Sequence, residues 1–367
     1  LLNYFGQGAL LLADPSAIEN PFFLLAPDWF RYPQLVIATL AAIVASQALI
    51  SGAFSLTHQA VQLGYSPRVT IVHTSKHEAG QIYVPEVNKA LAIGTLLLVV
   101  GFGSSTALGG TYGVALTGTM AITTILFSAI AGERWGWSPL QVGAFLTFFL
   151  AIDLALFTAN VLKVATGGWV PLVVALVGFT LMTTWKRGRL HLRSILVDRS
   201  LPVEELIRSL DRSKTVRVPG TAIFMTSESE GTPVVLLHHL KHNQVLHEQV
   251  ILLSVIGREV PEVPAAERIA IEDLTHGIFR VRAYYGFMQT PNVEDIRARC
   301  GERGIKARRM DTTYYLGREE LIPVCSSGLA HWRKWLFSVM ARNARSATQY
   351  FGIPPNRVVE LGAQIEF

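Results

Sequence analysis

The 367-residue sequence has only two cysteines, Cys300 and Cys325, and only 16% charged residues, against about 25% in a soluble chain. The cysteines have neither CxxC spacing nor paired histidines nearby, which argues against a disulfide framework or a zinc site and fits a reducing compartment. The shortage of charge is confined to one half. Positions 1–185 hold 6 Lys/Arg and 7 Asp/Glu, whereas 186–367 hold 26 and 20. A wholly soluble protein is excluded, and the net charge of +5 adds a nearly neutral membrane part to a basic soluble part. No compact Lys/Arg run with interleaved aromatics appears, so nucleic acid is not an expected partner. G-x-x-x-x-G-K-[ST] and G-x-G-x-x-G are both missing, which leaves a nucleotide without its usual phosphate loop. An initiator Met is absent too. The apolar run 1–13 would rise only about 20 Å as a helix, so the chain reads as truncated at its N-terminus, and without a basic leader the run is no signal peptide.

What is present is a series of long uncharged stretches. No residue from Tyr32 to Pro67 is charged, and 34–54 is long enough as a helix to cross about 30 Å of hydrocarbon. The uncharged interval 90–132 is too long for one helix and is broken at Gly101, Gly103, Gly109 and Gly110, which predicts helices over 88–104 and 108–130. Spans at 139–161, interrupted only by Asp153, and at 169–185 complete the set. The expectation is a partial span, five complete spans over 1–185, and a soluble domain over 186–367. Lys and Arg favour the cytoplasmic side, and Arg68, Lys76, Lys89, Arg134, Lys186, Arg187, Arg189 and Arg193 all fall on the connections that share a side with the soluble half. That half is therefore expected in the cytoplasm. Tryptophans 29, 135, 137, 169 and 185 sit near the span ends, where interfacial anchors belong.

The 108–130 helix is crowded with small and hydroxylated residues. Close helix packing explains them; so does a path for a dehydrated cation, because oxygen ligands replace a hydration shell without fixed charge. Tyr112 is the leading ion-path candidate, with Thr117 and Thr119 behind it. Asp153 is the one carboxylate well inside a span and is the candidate for proton coupling. The alternative for Asp153 is a structural hydrogen bond to a Thr or Asn, with Asn160 the nearest choice. A membrane-embedded enzyme would need a nucleophile and base within these helices, and Asp153 alone does not supply them.

The connection after the first full span reads Ser55-Leu-Thr-His-Gln-Ala-Val-Gln-Leu-Gly-Tyr-Ser-Pro-Arg68, then Ile71-Val-His-Thr-Ser75, then Gly80-Gln-Ile-Tyr-Val-Pro-Glu-Val-Asn88. It resembles the signature of the Kup potassium uptake (KUP/HAK/KT) family. Thr111-Tyr-Gly-Val-Ala-Leu-Thr-Gly-Thr-Met120, Gly167-Gly-Trp-Val-Pro-Leu172 and Arg357-Val-Val-Glu-Leu-Gly362 extend the resemblance to the end of the chain. The resemblance implies the C-terminal part of a LeuT-like inverted-repeat transporter fold followed by an α/β cytoplasmic domain. It also implies potassium and proton as transported ions, no cofactor, and a bacterial inner membrane. On that pattern most ion-site helices precede this chain, which would then not transport alone; the tenth-helix tyrosine matches Tyr112. An amino acid or other cation transporter of the same superfamily is the alternative. The signature residues are Gln59, Gly64, Pro67, Arg68, His73, Thr74, Ser75, Gln81, Tyr83, Pro85 and Asn88. They suit either a bound solute or a loop packed on the cytoplasmic domain. His58 and His73 lack metal-ligand spacing.

In the soluble half, 221–226 and 249–256 read as strands with a helix over 234–246 between them. Strands are expected at 269–272, 277–285 and 312–316, the first two antiparallel, and a helix at 293–303. A nucleotide regulator at the strand ends and a homodimer stay open. The stretch 331–347 mixes tryptophans with arginines, and reads either as a helix lying on an anionic leaflet or as one packing its apolar face on the domain.

Overall fold

The computed structural model describes residues 2–74, 81–198, 201–212, 215–226, 231–322 and 329–367. The chain forms two compact units, 1–56 with 71–88, and 57–70 with 89–367. The first holds α1 (Leu2–Ala13), α2 (Pro21–Leu24), most of α3 (Arg31–Gln62) and a hairpin of β1 (Val72–His73) and β2 (Ile82–Tyr83). Within it, Phe54 meets Tyr83 edge to face at 5.6 Å, and Gln34 Nε2 donates to the Phe22 carbonyl at 2.9 Å.

The second unit contains nearly all of α4 (Pro85–Phe102), together with α5 (Ser105–Trp135), α6 (Pro139–Val161) and α7 (Trp169–Asp198). Among the described residues five helices are long and apolar enough to cross a membrane. The break inside 90–132 falls at Gly103, whose φ of +56° suits glycine, and Ser104. Gly136 in the left-handed region ends α5, and Ser138 with Gln141 forms a capping box that starts α6 at Pro139. Two helices outrun the spans expected of them, α3 within its uncharged stretch and α7 into charged residues. The first continues from 54 to Gln62, and the last runs past Trp185 to Asp198. Charge ends a membrane crossing but not a helix, since Lys and Arg are good helix formers.

Beyond α7 come α8 (Val203–Arg212), β3 (Val216–Thr226), α9 (Val234–Asn243), β4 (Val245–Arg258), β5 (Ile269–Asp273) and β6 (Ile278–Gly286). α10 (Val293–Glu302), β7 (Thr312–Ile322), α11 (His331–Arg342), α12 (Ala347–Tyr350) and β8 (Val358–Glu366) complete the chain. The six strands form one sheet in the order β5-β6-β4-β3-β7-β8, parallel except for the antiparallel edge β5. Parallel strands covered on both faces read as continuous apolar runs, and 250–253 does so. Ile251 and Leu253 pack with Ile296 and Cys300 of α10, while Val250 and Leu252 pack with Leu236 of α9 and Leu206 of α8. Burial pushes the Cys300 thiol up to about 11. The helix expected to reach 246 ends at Asn243, because Gln244 turns left-handed (φ +56°) and the chain enters β4. β7 runs six residues past 316, and β8 joins as an unexpected edge strand. Cys325 and the segments that follow β3 and β7 lie outside the described residues.

Between α9 and the sheet, His239 and His247 lie 6.2 Å apart, centroid to centroid, around Tyr315, which stacks on Phe224 at 4.7 Å. Asn243 reaches His239 Nδ1 at 2.8 Å, and Arg217 donates to the His247 carbonyl at 2.9 Å. Burial lowers both imidazoles below their ordinary range, and for His247 the neighbouring His239 adds to the effect. An imidazole kept neutral by burial takes up a proton more readily once the chain unfolds. The pair therefore leaves stability untouched above about pH 6.5 and lowers it as the pH falls further. Melting of the chain in detergent should drop on acidification by less in a His239→Gln/His247→Gln variant than in the parent; equal drops would assign the effect elsewhere.

Candidate functional site

α5 and α6 run antiparallel and face each other through small and polar groups. A Cβ at Gly113 would run into the Asn160 amide, and one at Gly118 would lie 3.5 Å from the Phe157 ring. One further turn along, Thr124 Oγ1 donates to Asp153 Oδ2 at 2.6 Å. Asp153 is 4% exposed. Its partner is thus a threonine, Thr124, one of the two residue types expected, and not Asn160, whose Nδ2 donates to the Leu156 carbonyl on its own helix. Small residues let the two backbones approach, and that approach brings a hydroxyl to a carboxylate.

The ion-path candidates fall on two stripes of α5. Thr117 is buried on the stripe that also carries Thr124, seven residues on, and its hydroxyl donates to the Gly113 carbonyl at 2.8 Å. Tyr112 and Thr119, also seven apart, share another stripe: Tyr112 is 66% exposed, and Thr119 donates to the Ala115 carbonyl. Both threonines satisfy their donors on the preceding turn, as helical threonines do, and keep an oxygen lone pair for a ligand. The start of α5 is held by Thr111, which donates to the Gly167 carbonyl at 2.9 Å. Gly168 follows, where a Cβ would lie 2.6 Å from Val114.

The signature residues divide between the two units. Gly64 (φ +73°) turns the chain after α3, and the turn is held within the second unit by contacts on both sides. Gln62 Nε2 donates to the Tyr350 hydroxyl at 2.9 Å, Lys186 Nζ to the Leu63 carbonyl at 3.0 Å, and the Arg345 amide to the Arg68 carbonyl at 2.8 Å. Lys186 also lies 4.5 Å over the Tyr65 ring. A cation at a helix C-terminus complements the exposed carbonyls there. Burial pushes the Tyr350 phenol up to about 12, so it meets Gln62 as a neutral hydroxyl. Gln59 and Pro67 belong to this docked segment. In the first unit, Thr74 donates to the Gln81 carbonyl, Asn88 Nδ2 reaches the Tyr83 hydroxyl at 3.4 Å, His73 lies on β1 and Pro85 opens α4. Ser75 is outside the described residues. Thr124, Gln62, Lys186 and Tyr350 carry these contacts, and the sequence does not announce the pairings, because each meets a partner far away in the chain.

Residues 1–190 match the family model described as K+ potassium transporter integral membrane domain, and 219–367 match K+ potassium transporter C-terminal domain. Similar proteins include the Probable potassium transport system protein Kup of Myxococcus xanthus (strain DK1622), 56% identical over 369 residues, and that of Anaeromyxobacter sp. (strain Fw109-5), 54% identical over 371. The Probable potassium transport system protein Kup 1 of Geobacter sulfurreducens is 51% identical over 367 residues. All of this chain is covered in each case, and it spans 56%, 56% and 58% of those proteins' lengths. A membrane helical part matching one model, a separate sheet domain matching the other, and identity above one half along the whole chain lead to one conclusion: the chain belongs to the Kup (KUP/HAK/KT) family of potassium transporters.

Proposed function

We propose that a protein carrying this chain takes up potassium across the bacterial inner membrane by symport with protons. The identity of 51–56% to proteins named for potassium transport carries this reading. Supporting it, α5 offers hydroxyl and carbonyl oxygens without fixed charge, the chemistry that can replace a potassium ion's hydration shell. The repeat architecture would be LeuT-like, with the membrane part ending near Trp185 and the sheet domain in the cytoplasm, the arrangement that the Lys/Arg bias of the connections supports. Asp153 is the proton-coupling group in this scheme, and Tyr112 a ligand or gate, with Thr117 and Thr119 on the same helix.

The test is rubidium uptake in cells that lack other potassium uptake systems, using the full-length protein. Tyr112→Phe removes one hydroxyl and keeps the ring. Its apparent affinity for potassium should weaken by about tenfold, the equivalent of one lost hydrogen bond of about 1.4 kcal/mol, and Tyr112→Ala should lose more. Parental kinetics in both variants, at normal membrane levels, would remove Tyr112 from the path.

A further inference from the structure

α11 is turned against its own hydropathy. Lys334, Phe337 and Ser338 are buried, whereas Trp332 and Trp335 are 53% and 58% exposed and share an outer face with Arg342. Such a face is unusual on a domain surrounded by water, because exposed aromatic pairs mark interaction surfaces. The position of the helix says what covers it. Phe337 packs on Trp185 at 5.1 Å and sits where a Cβ of Gly188 would be, 2.6 Å from that point to its Cγ. Trp185 is the last residue before the basic stretch of α7, and Gly188 lies only about 5 Å further along the helix axis. α11 is thereby fixed at the height where α7 leaves the apolar layer. Trp185, expected as an interfacial anchor, is instead buried under Phe337, 8% exposed, and the helix that covers it exposes Trp332 and Trp335.

Charge points the same way. From Leu329 to Arg357 the sequence has five Lys/Arg, of which Lys334 is buried, and no Asp/Glu, and the Arg333 guanidinium lies 5.1 Å over the Trp332 ring. Indole rings settle at the headgroup level of a bilayer, and basic side chains beside them are drawn to anionic lipid. We propose that the outer face of α11 is a lipid-binding surface, with Trp332 and Trp335 set in the anionic headgroup layer of the membrane that α7 crosses. The sheet domain would then be held against the membrane at two points, the α7 helix and this face. The inference rests on α7 crossing a membrane and is independent of the ion transported.

The whole chain would be reconstituted in nanodiscs with and without brominated lipid, and its tryptophan emission compared with that of a Trp332→Phe/Trp335→Phe variant. The difference between the two isolates the α11 tryptophans, while the variant's own emission, from the tryptophans nearer the spans, reports insertion separately. With anionic phosphatidylglycerol present, the difference emission should be blue-shifted and quenched at least about twofold by the bromolipid, as expected of rings at the headgroup level. Quenching should weaken in neutral phosphatidylcholine and in Arg342→Gln. A difference emission at the water-exposed wavelength without quenching, while the variant's own emission is quenched, would overturn the proposal. Blue-shifted but unquenched emission from a chain that is dimeric by light scattering would overturn it in favour of a second copy on this face. Equal quenching in neutral and anionic lipid would overturn the assignment to anionic headgroups.

Discussion

Asp153→Asn is expected to remove the stimulation of uptake by a proton gradient while the protein still reaches the membrane. The carboxylate is buried between α5 and α6, and its Oδ2 accepts from the Thr124 hydroxyl at 2.6 Å. An asparagine keeps an oxygen in that position, so the interhelical hydrogen bond, worth about 0.6–2 kcal/mol in membrane proteins, survives the change. What the substitution removes is the capacity to bind and release a proton. If Asp153 couples the proton to the ion, gradient-driven uptake should fall by about tenfold, well within the range of coupling free energies of about 1–3 kcal/mol. Uptake without a gradient should change much less. Asp153→Leu should in addition reduce the amount of folded protein, because the Thr124 hydroxyl loses its acceptor. Rubidium uptake with and without an imposed proton gradient, normalised to membrane protein, decides the matter. Parental stimulation in Asp153→Asn would leave the residue a purely structural role between the two helices.

The five long apolar helices were legible because the capacity to cross a membrane is specified by length and lack of charge, which are local properties. The ends of α3 and α7 were not, since a helix continues beyond the length a crossing needs, α3 through uncharged residues to Gln62 and α7 through Lys and Arg to Asp198. The strands β3 and β4 announce themselves as apolar runs because both faces of the sheet are covered. β8 does not: at the sheet edge it mixes Glu360 and Gln364 with Val359 and Leu361, and among the described residues it pairs with β7 alone. The candidate site was legible as residue types but not as contacts. Asp153 and Thr124 are 29 positions apart, and nothing in either neighbourhood names the other. α11 is the clearest reversal. Hydropathy places tryptophan inside and lysine outside, yet the fit of Phe337 against Gly188 sets the rotation of the helix and puts Lys334 inside and Trp335 outside.

That same fit predicts a large stability loss from a single added side chain. At Gly188 a Cβ would lie 2.6 Å and 2.7 Å from Cγ and Cε2 of Phe337, whose ring is itself packed between Trp185 at 5.1 Å and Phe367 at 4.9 Å. Two effects of Gly188→Val oppose each other. Helix propensity favours valine over glycine by a few tenths of a kcal/mol, whereas overpacking a closed site costs about 1–3 kcal/mol. The clash wins because Phe337 is 1% exposed and has no space to retreat into. Gly188→Val should therefore melt earlier in detergent than the parent, and trypsin should cut sooner between α7 and the sheet. Phe337→Ala alone should cost about 3–5 kcal/mol, as the removal of a buried ring does. In the double variant the new methyls occupy part of the space the ring leaves, so its loss should fall short of the sum of the two single losses by about 1–2 kcal/mol, the coupling expected of residues in direct contact. A Gly188→Val protein as stable as the parent, or losses that simply add, would show that the close approach of these two helices is not what fixes α11 on α7.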